Sequence, residues 1–541
     1  MHVMSFLLSI SFYFFSSFLK GESEVKNTTT NDSLVISKSV YKDHLMGFWL
    51  GSCIGNWTGL PTENRRVNFP FFTDDDFGEG KFNFVLDEDP WGADDDTDIE
   101  YIYQLAMEQN NSPLLTPSQI STAWQKHIGL PLLWVSNLAA LTQMQNGSLP
   151  PDTSHPDNNP MWEMIDAQLT TEIFGALAPS RPDIGLKLAH LPIRTTAYAH
   201  SQWAAEFYVI MHTLAITIDS DKSRKDEILR ISEIARKYIP NSSYIADMYD
   251  FVYNSYLENP DKNDWEKTRD MIANRYQYNH NAGYDYQYPW DSGINFAASI
   301  ISLLYGEGDF KRTLSIASMC GWDSDNPTAT WGGFLGLLMG FDELKDVFDY
   351  NFSTSYNIAR TRYNTPLMID NFNDMADRGL KLIDAVVRKE MNGSVENSHW
   401  IIPRITHELS KASSVIEEDK WQTIEDNHES WCYSGFETQQ EQWNASGATL
   451  TVGKANCSAE ISFKGKAIQL YSYRSLDAGS IKIYLDQNFI GNYDLSTTQS
   501  LGQFYFKVFE KTTLEHKTHT LKIIGDQSLN PKTIDLIRIK N

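Results

Sequence analysis

The chain has 541 residues, with 45 Lys plus Arg against 70 Asp plus Glu, for a formal net charge of -25. That length allows more than one domain with a large buried core. The acidic balance argues against a nucleic-acid backbone or an anionic membrane surface as the main partner and is compatible with cation binding.

Residues 4–19 form an apolar run with small and polar residues after it and no basic segment ahead of it. The run is shorter than a membrane span and lies at the extreme N-terminus, so a secretory signal peptide over 1–23 is expected, followed by a spacer over 24–39. No later stretch is long and uncharged enough to span a bilayer, so a secreted or lumenal chain with no membrane span is expected. Ten Asn-x-Ser/Thr sites, at Asn27, Asn31, Asn56, Asn110, Asn146, Asn241, Asn351, Asn392, Asn444 and Asn456, agree with that route. Asn56 stands in a Gly-rich turn that leaves little room for a glycan. Four cysteines are too few for a disulfide scaffold. Cys432 and Cys457 are placed to bridge within the C-terminal region, while Cys53 and Cys320 read as buried thiols or a second bridge.

From Tyr41 onward the pattern is helical. Apolar residues recur at three- and four-residue spacing over 97–107, 161–174, 196–216, 224–239, 244–257 and 295–304, and one large all-α domain over 40–400 follows. The composition turns charged and irregular near Val395, giving a linker over 401–427. Beyond it, short period-two runs such as AEISFKG, AIQLYSYR and SIKIYLDQ, separated by Gly, Asn, Asp and Lys, predict an all-β, jelly-roll-like sandwich over 428–541.

Two acidic turns stand out, Asp94-Asp95-Asp96-Thr97-Asp98 and Asp323-Ser324-Asp325-Asn326, each just ahead of a helical pattern. One carboxylate is enough to cap a helix, so the surplus points to hard divalent ions held by carboxylate, hydroxyl and water oxygens. Gly332, Gly333 and Gly336 follow the second turn. They weaken a helix unless another backbone approaches closely, which brings this helix start near a neighbour. Gly47, Gly51, Gly55 and Gly59 recur every four residues in a third segment, which ends at Leu60-Pro61 in a turn displaying Glu63. Glu63 reads either as a solvated loop residue or as a carboxylate that activates water or substrate beside the metals.

These three segments, in this order, resemble the ADP-ribosylglycohydrolase superfamily over roughly residues 40–345. Gly55-Asn56-Trp57-Thr58-Gly59 with Glu63 is similar to the family's early Gly-Asp-Ala-Leu-Gly turn and its trailing Glu. Asp94-Asp95-Asp96-Thr97 is similar to its Thr-Asp-Asp-Thr motif, and Asp323-Ser324-Asp325-Asn326 to its late Asp-x-Asp-Thr motif. Three positions depart from the pattern: Asn56 stands for the usual Asp, Asp94 for Thr and Asn326 for a metal-binding Thr.

The resemblance implies an orthogonal all-helical fold, two metal ions (Mg2+, or Mn2+), and hydrolysis of a glycosidic bond in an ADP-ribosyl or related sugar substrate. It implies Asp95, Asp96, Asp323 and Asp325 as the main metal ligands, Asp94, Thr97 and Asn326 as further ones, and Glu63 with Asp96 as the catalytic pair. Asn56 keeps a carbonyl oxygen and reads as support behind the ligands.

Tyr286, Tyr288, Trp290 and Asp291 are placed to line a sugar cleft or to form a helix-entry loop, and His190 and His200 read as ordinary partly buried histidines. Thr73-Asp74-Asp75-Asp76 reads as a solvated loop. Trp431, Tyr433, Trp443, Tyr471 and Tyr473 give the C-terminal region rings that either stack on a glycan or pack its core. The competing reading is a catalytically silent secreted protein that keeps the fold and binds a glycan or a protein.

Overall fold

The structure is a computed structural model that describes residues 33–78, 81–129, 132–219, 221–405, 409–413 and 420–541. The expected signal peptide and the sequons at Asn27 and Asn31 lie outside the described residues.

An α-helical bundle runs from the helix Lys38–Gly59 to the helix Phe372–Lys389. A short strand, Ser33–Ser37, enters it and pairs antiparallel with His399–Pro403, so both ends of the bundle share one small sheet. The glycines explain how its centre is built. The helices Lys38–Gly59 and Asp325–Met339 lie backbone to backbone. A Cβ at Gly51 would sit 2.0 Å from the Gly332 carbonyl oxygen, and one at Gly336 would sit 2.0 Å from that of Gly47. No side chain fits between them, so the helical cost of each glycine is offset by a contact only glycine allows. Trp49, Trp322 and Trp331 are fully buried in the surrounding core.

The periodicity over 161–174 does not form one helix. Asp166–Leu169 and Ile173–Ala176 are separate short helices, because the Thr170 and Thr171 hydroxyls bond the carbonyls of Asp166 and Ala167 at 2.9 and 2.7 Å and compete with the helical ladder. The Thr73–Asp76 turn is also more than a solvated loop, since Asp74 accepts from Trp265 Nε1 at 2.8 Å and pairs with Arg312 at 2.8 Å. His200 stacks on Tyr244 at 3.9 Å and serves packing.

The C-terminal region is β-rich. One antiparallel sheet orders the strands Gln503–Lys511, Ala467–Arg474, Leu536–Lys540 and Trp421–Glu425. A second orders Asn488–Asp494, Ser480–Leu485, Lys517–Gly525, Leu450–Gly465 and Lys532–Ile534, with Trp431–Gln439 also paired to Leu450–Gly465. Ile468, Leu470, Ile537 and Ile539 of the first sheet share a core with Ile461, Ile483, Leu521 and Ile523 of the second, which makes the unit a β-sandwich. All four cysteines are free. The expected Cys432–Cys457 bridge does not form: Cys432 is exposed and registers with Glu460, while Cys457 is buried against Gly453 and Gly525.

The sandwich is fastened to the bundle by polar contacts. Trp421 Nε1 donates to Asp157 at 2.7 Å, Thr142 Oγ1 to the Phe504 carbonyl at 2.8 Å, and Gln503 Nε2 to Gln145 at 3.0 Å. Tyr288 OH donates to Glu425, whose carboxylate also accepts from Ser446 Oγ at 2.9 Å.

Candidate metal centre and active site

The site grows out of the glycine contact. Where Lys38–Gly59 ends, a Cβ on Gly59 would lie 2.4 Å from the Cα of Asp325, so the end of one helix touches the start of the other. The following turn is bonded to the second acidic turn: Thr62 Oγ1 lies 2.9 Å from Ser324 Oγ, and Asn64 N donates to the Trp322 carbonyl at 2.9 Å. Glu63 is carried between those two anchors. Asp323 is fixed from the other side, its backbone N–H donating to Asn295 Oδ1 at 3.1 Å.

The first acidic turn opens the helix Asp95–Asn110. Asn56 Nδ2 donates to one oxygen of Asp96 at 3.0 Å and Asn326 Nδ2 approaches the other at 3.4 Å. Two of the departures from the family pattern therefore converge on one carboxylate. Thr97 is engaged in the turn, its hydroxyl donating to the Asp94 carbonyl at 3.2 Å and accepting from Tyr356 OH at 2.8 Å. Asp98 points away and forms a fully buried ion pair with Arg362 at 2.9 Å.

Glu63, Asp323 and Asp325 each offer an oxygen within 4.8 Å of the others. They open into a cavity of about 350 Å³ that Asp94, Asp95 and Asp96 also line. Asp166, Arg360 and Trp134, which sequence reasoning missed, line it as well, as do Trp290 and Trp443. Asp166 accepts from Ser136 N and Asn137 N at the start of the helix Val135–Gln145, and Arg360 lies 3.4 Å from Asp94. None of the missed three sits in a motif, and their neighbours in the chain carry no signature of a site. Of the aromatic loop, Trp290 reaches the cavity, whereas Asp291 is turned inward to accept from the backbone N–H of Gln287 at 2.7 Å.

The carboxylates of the cavity are buried and repel one another. Burial, then repulsion from Asp95 and Asp323, holds Asp96 well above the ordinary carboxylate range. Burial and the charge of Glu63 do the same to Asp323 and Asp325, and burial and Asp94 do so to Asp95. Glu63 is pushed up to about 7 by burial and by Asp94, against a hydrogen bond from Asn64. Desolvated like charges at this density are relieved by protons or by cations. The donors suit a hard divalent ion: all are oxygens, and Asp325 Oδ1 and Asn326 Oδ1 are buried without a hydrogen-bond partner.

Comparison with known proteins adds the following. The sequence profile described as ADP-ribosylglycohydrolase matches residues 37–349, more than half of the chain. A solved "ADP-ribosylglycohydrolase-related protein complex" is 16% identical, covering 64% of this chain and 98% of its own, with a TM-score of 0.41. A family 35 carbohydrate-binding module from an environmental isolate covers 22% of this chain and 90% of its own, at 16% identity and a TM-score of 0.19. An A type blood alpha-D-galactosamine galactosaminidase of Flavonifractor plautii is 32% identical over 78 residues, which span 14% of this chain and 7% of that protein.

Proposed function

We propose, since this chain belongs to the ADP-ribosylglycohydrolase family over residues 37–349, that it is a metal-dependent hydrolase of a glycosidic bond in an ADP-ribosyl or related sugar substrate. The observation that carries the reading is the convergence of Glu63, Asp323 and Asp325 within 4.8 Å, in a cavity that Asp95 and Asp96 also line. Asp95, Asp96, Asp323 and Asp325 are the proposed main ligands of two magnesium ions, or manganese, with Asp94, Thr97 and Asn326 as further oxygen donors. When bound, such ions orient vicinal sugar hydroxyls and neutralise charge.

The chain's own residues do the rest. Glu63, whose proton affinity is raised to about 7, takes a proton from water or positions that water for attack at the anomeric carbon. The glycosidic bond breaks as the water oxygen bonds, and the water's proton passes to the departing group. Asp96, steadied by Asn56 and Asn326, keeps its carboxylate directed at the reacting sugar while the surrounding apolar residues Leu60, Ile165 and Leu169 limit bulk water. The division that goes with this reading is a catalytic unit over 40–400 and an accessory unit over 428–541, joined by the strand Trp421–Glu425 from within the expected linker, in a chain exported behind a signal peptide over 1–23.

The test is release of free sugar by the purified protein from a panel of ADP-ribosylated proteins, nucleosides and glycosides, with and without magnesium or manganese. Asp96→Asn combined with Asp325→Asn is the control. Release that survives both chelation and the double substitution removes the metal centre from the reaction. Metal binding by a folded protein that releases nothing from any substrate favours the silent binding protein instead.

A further inference from the structure

Trp443 belongs to the sandwich, yet it lines the cavity of the metal centre together with Trp134 and Trp290 of the bundle. It is 60% exposed, which is unusual for a Trp that packs a core. The loop that carries it, between the strands Trp431–Gln439 and Leu450–Gly465, is held on both sides. Ser446 N donates to Asp535 at 2.9 Å, Ser446 Oγ donates to Glu425 at 2.9 Å, and Glu425 also accepts from Tyr288 OH. Tyr288 stacks parallel on Trp290 with ring centroids 5.8 Å apart. Beside Trp443, Asn444 Nδ2 donates to the Leu133 carbonyl at 3.3 Å, next to Trp134. The ring is thus exposed without being loose, and the bundle itself sets its position.

The charge of the cavity narrows what the ring meets. Seven carboxylates line the cavity against one guanidinium, and Arg360 is already paired with Asp94 and donating to the Ala93 carbonyl at 2.6 Å. Among the described residues, Arg360 is the one side-chain cation of the wall. A neutral saccharide ring presents an apolar C–H face to an aromatic wall and leaves its hydroxyls for carboxylates and for any ions they hold.

We infer that Trp443 is a substrate-contacting residue supplied by the accessory domain, stacking on an uncharged saccharide ring next to the bond that is cut, so that the two domains form one substrate site. This rests on the proposed glycosidase reading. Two readouts separate the two. In the first, full-length wild type, Trp443→Ala and Trp443→Phe are matched for Tm and applied to an array of neutral oligosaccharides that also carries ADP-ribose. Capture on neutral glycans that falls about tenfold in Trp443→Ala and returns in Trp443→Phe is the expected result. Equal capture by wild type and Trp443→Ala, capture by ADP-ribose alone, or no capture at all overturns it. In the second, steady-state hydrolysis of any captured glycan is measured in magnesium. Trp443→Ala is expected to raise KM about tenfold and leave kcat within about threefold. An unchanged KM overturns the inference, whereas capture with no hydrolysis by wild type overturns the glycosidase reading and leaves the Trp443 contact standing.

Discussion

At the scale of single residues, the buried carboxylates separate into two kinds. Those lining the acidic cavity crowd one another, a repulsion that protons or cations relieve. Glu100 and Glu172 form a second pair outside the cavity lining, both buried, with Glu100 accepting from Ile173 N at 2.7 Å and Glu172 from Thr330 Oγ1 at 2.8 Å. Burial pushes Glu172 up to about 7 and Glu100 well above its ordinary range, with repulsion from Glu172 adding to the latter. A carboxyl whose folded pKa is raised contributes stability that is full below its ordinary value near 4.5 and is lost as pH rises through about 7. Glu172→Gln mimics the protonated form and does not titrate. Its Tm relative to wild type is therefore expected to be higher at about pH 8 than at about pH 5. An offset that is the same at both pH values, measured by calorimetry, counts against a raised proton affinity at Glu172. Glu63→Gln tests the other kind: kcat is expected to fall about 100-fold or more with KM within about threefold. Retention of full kcat removes Glu63 from proton transfer.

At the scale of elements, the glycine ladder was legible because it is a backbone constraint written locally: residues 47, 51, 55 and 59 repeat at one helical face. The acidic turns were legible for a related reason, since surplus carboxylates at a helix start have no structural use of their own. Asp166, Trp134 and Arg360 were not, because each reaches the cavity through tertiary packing and sits in a locally ordinary sequence. The segment 161–174 misled through its period, which two threonine hydroxyls override. The ladder also sets a sharp expectation. Gly51→Ala places a methyl 2.0 Å from the Gly332 oxygen and forces apart two helices, one leading into the Glu63 turn and the other starting at Asp325. Destabilisation of roughly 3 kcal/mol or more is expected in urea unfolding. Gly379→Ala, whose Cβ would meet the side-chain atoms Leu45 Cδ1 at 3.1 Å and Leu177 Cδ2 at 3.9 Å, is the milder comparison. Similar losses at the two sites would show that the helices slide apart at little cost.

At the scale of the whole molecule, the question is whether the sandwich is tethered or docked. A tether would leave the polar groups between the units solvated, and the structure shows the opposite. Arg538 is 2% exposed, lies over the Trp421 ring at 5.4 Å and donates to the Pro156 carbonyl. The Asp157 side chain accepts from Trp421 at 2.7 Å, while its carbonyl takes Gln469 at 2.9 Å and Lys507 at 3.0 Å. Although Arg538 Nε is buried without a hydrogen-bond partner, removing the side chain leaves the Pro156 carbonyl without its donor and the Trp421 face uncovered. Wild type is therefore expected to unfold in a single calorimetric transition, with the sandwich melting together with the bundle. Arg538→Ala is expected to weaken the junction by roughly 1–3 kcal/mol and split the endotherm into two, the lower one belonging to the sandwich. If wild type already shows two independent transitions, the units are only tethered. The Trp443 loop would then lack the rigid mount that its contacts with Glu425, Asp535 and Leu133 describe.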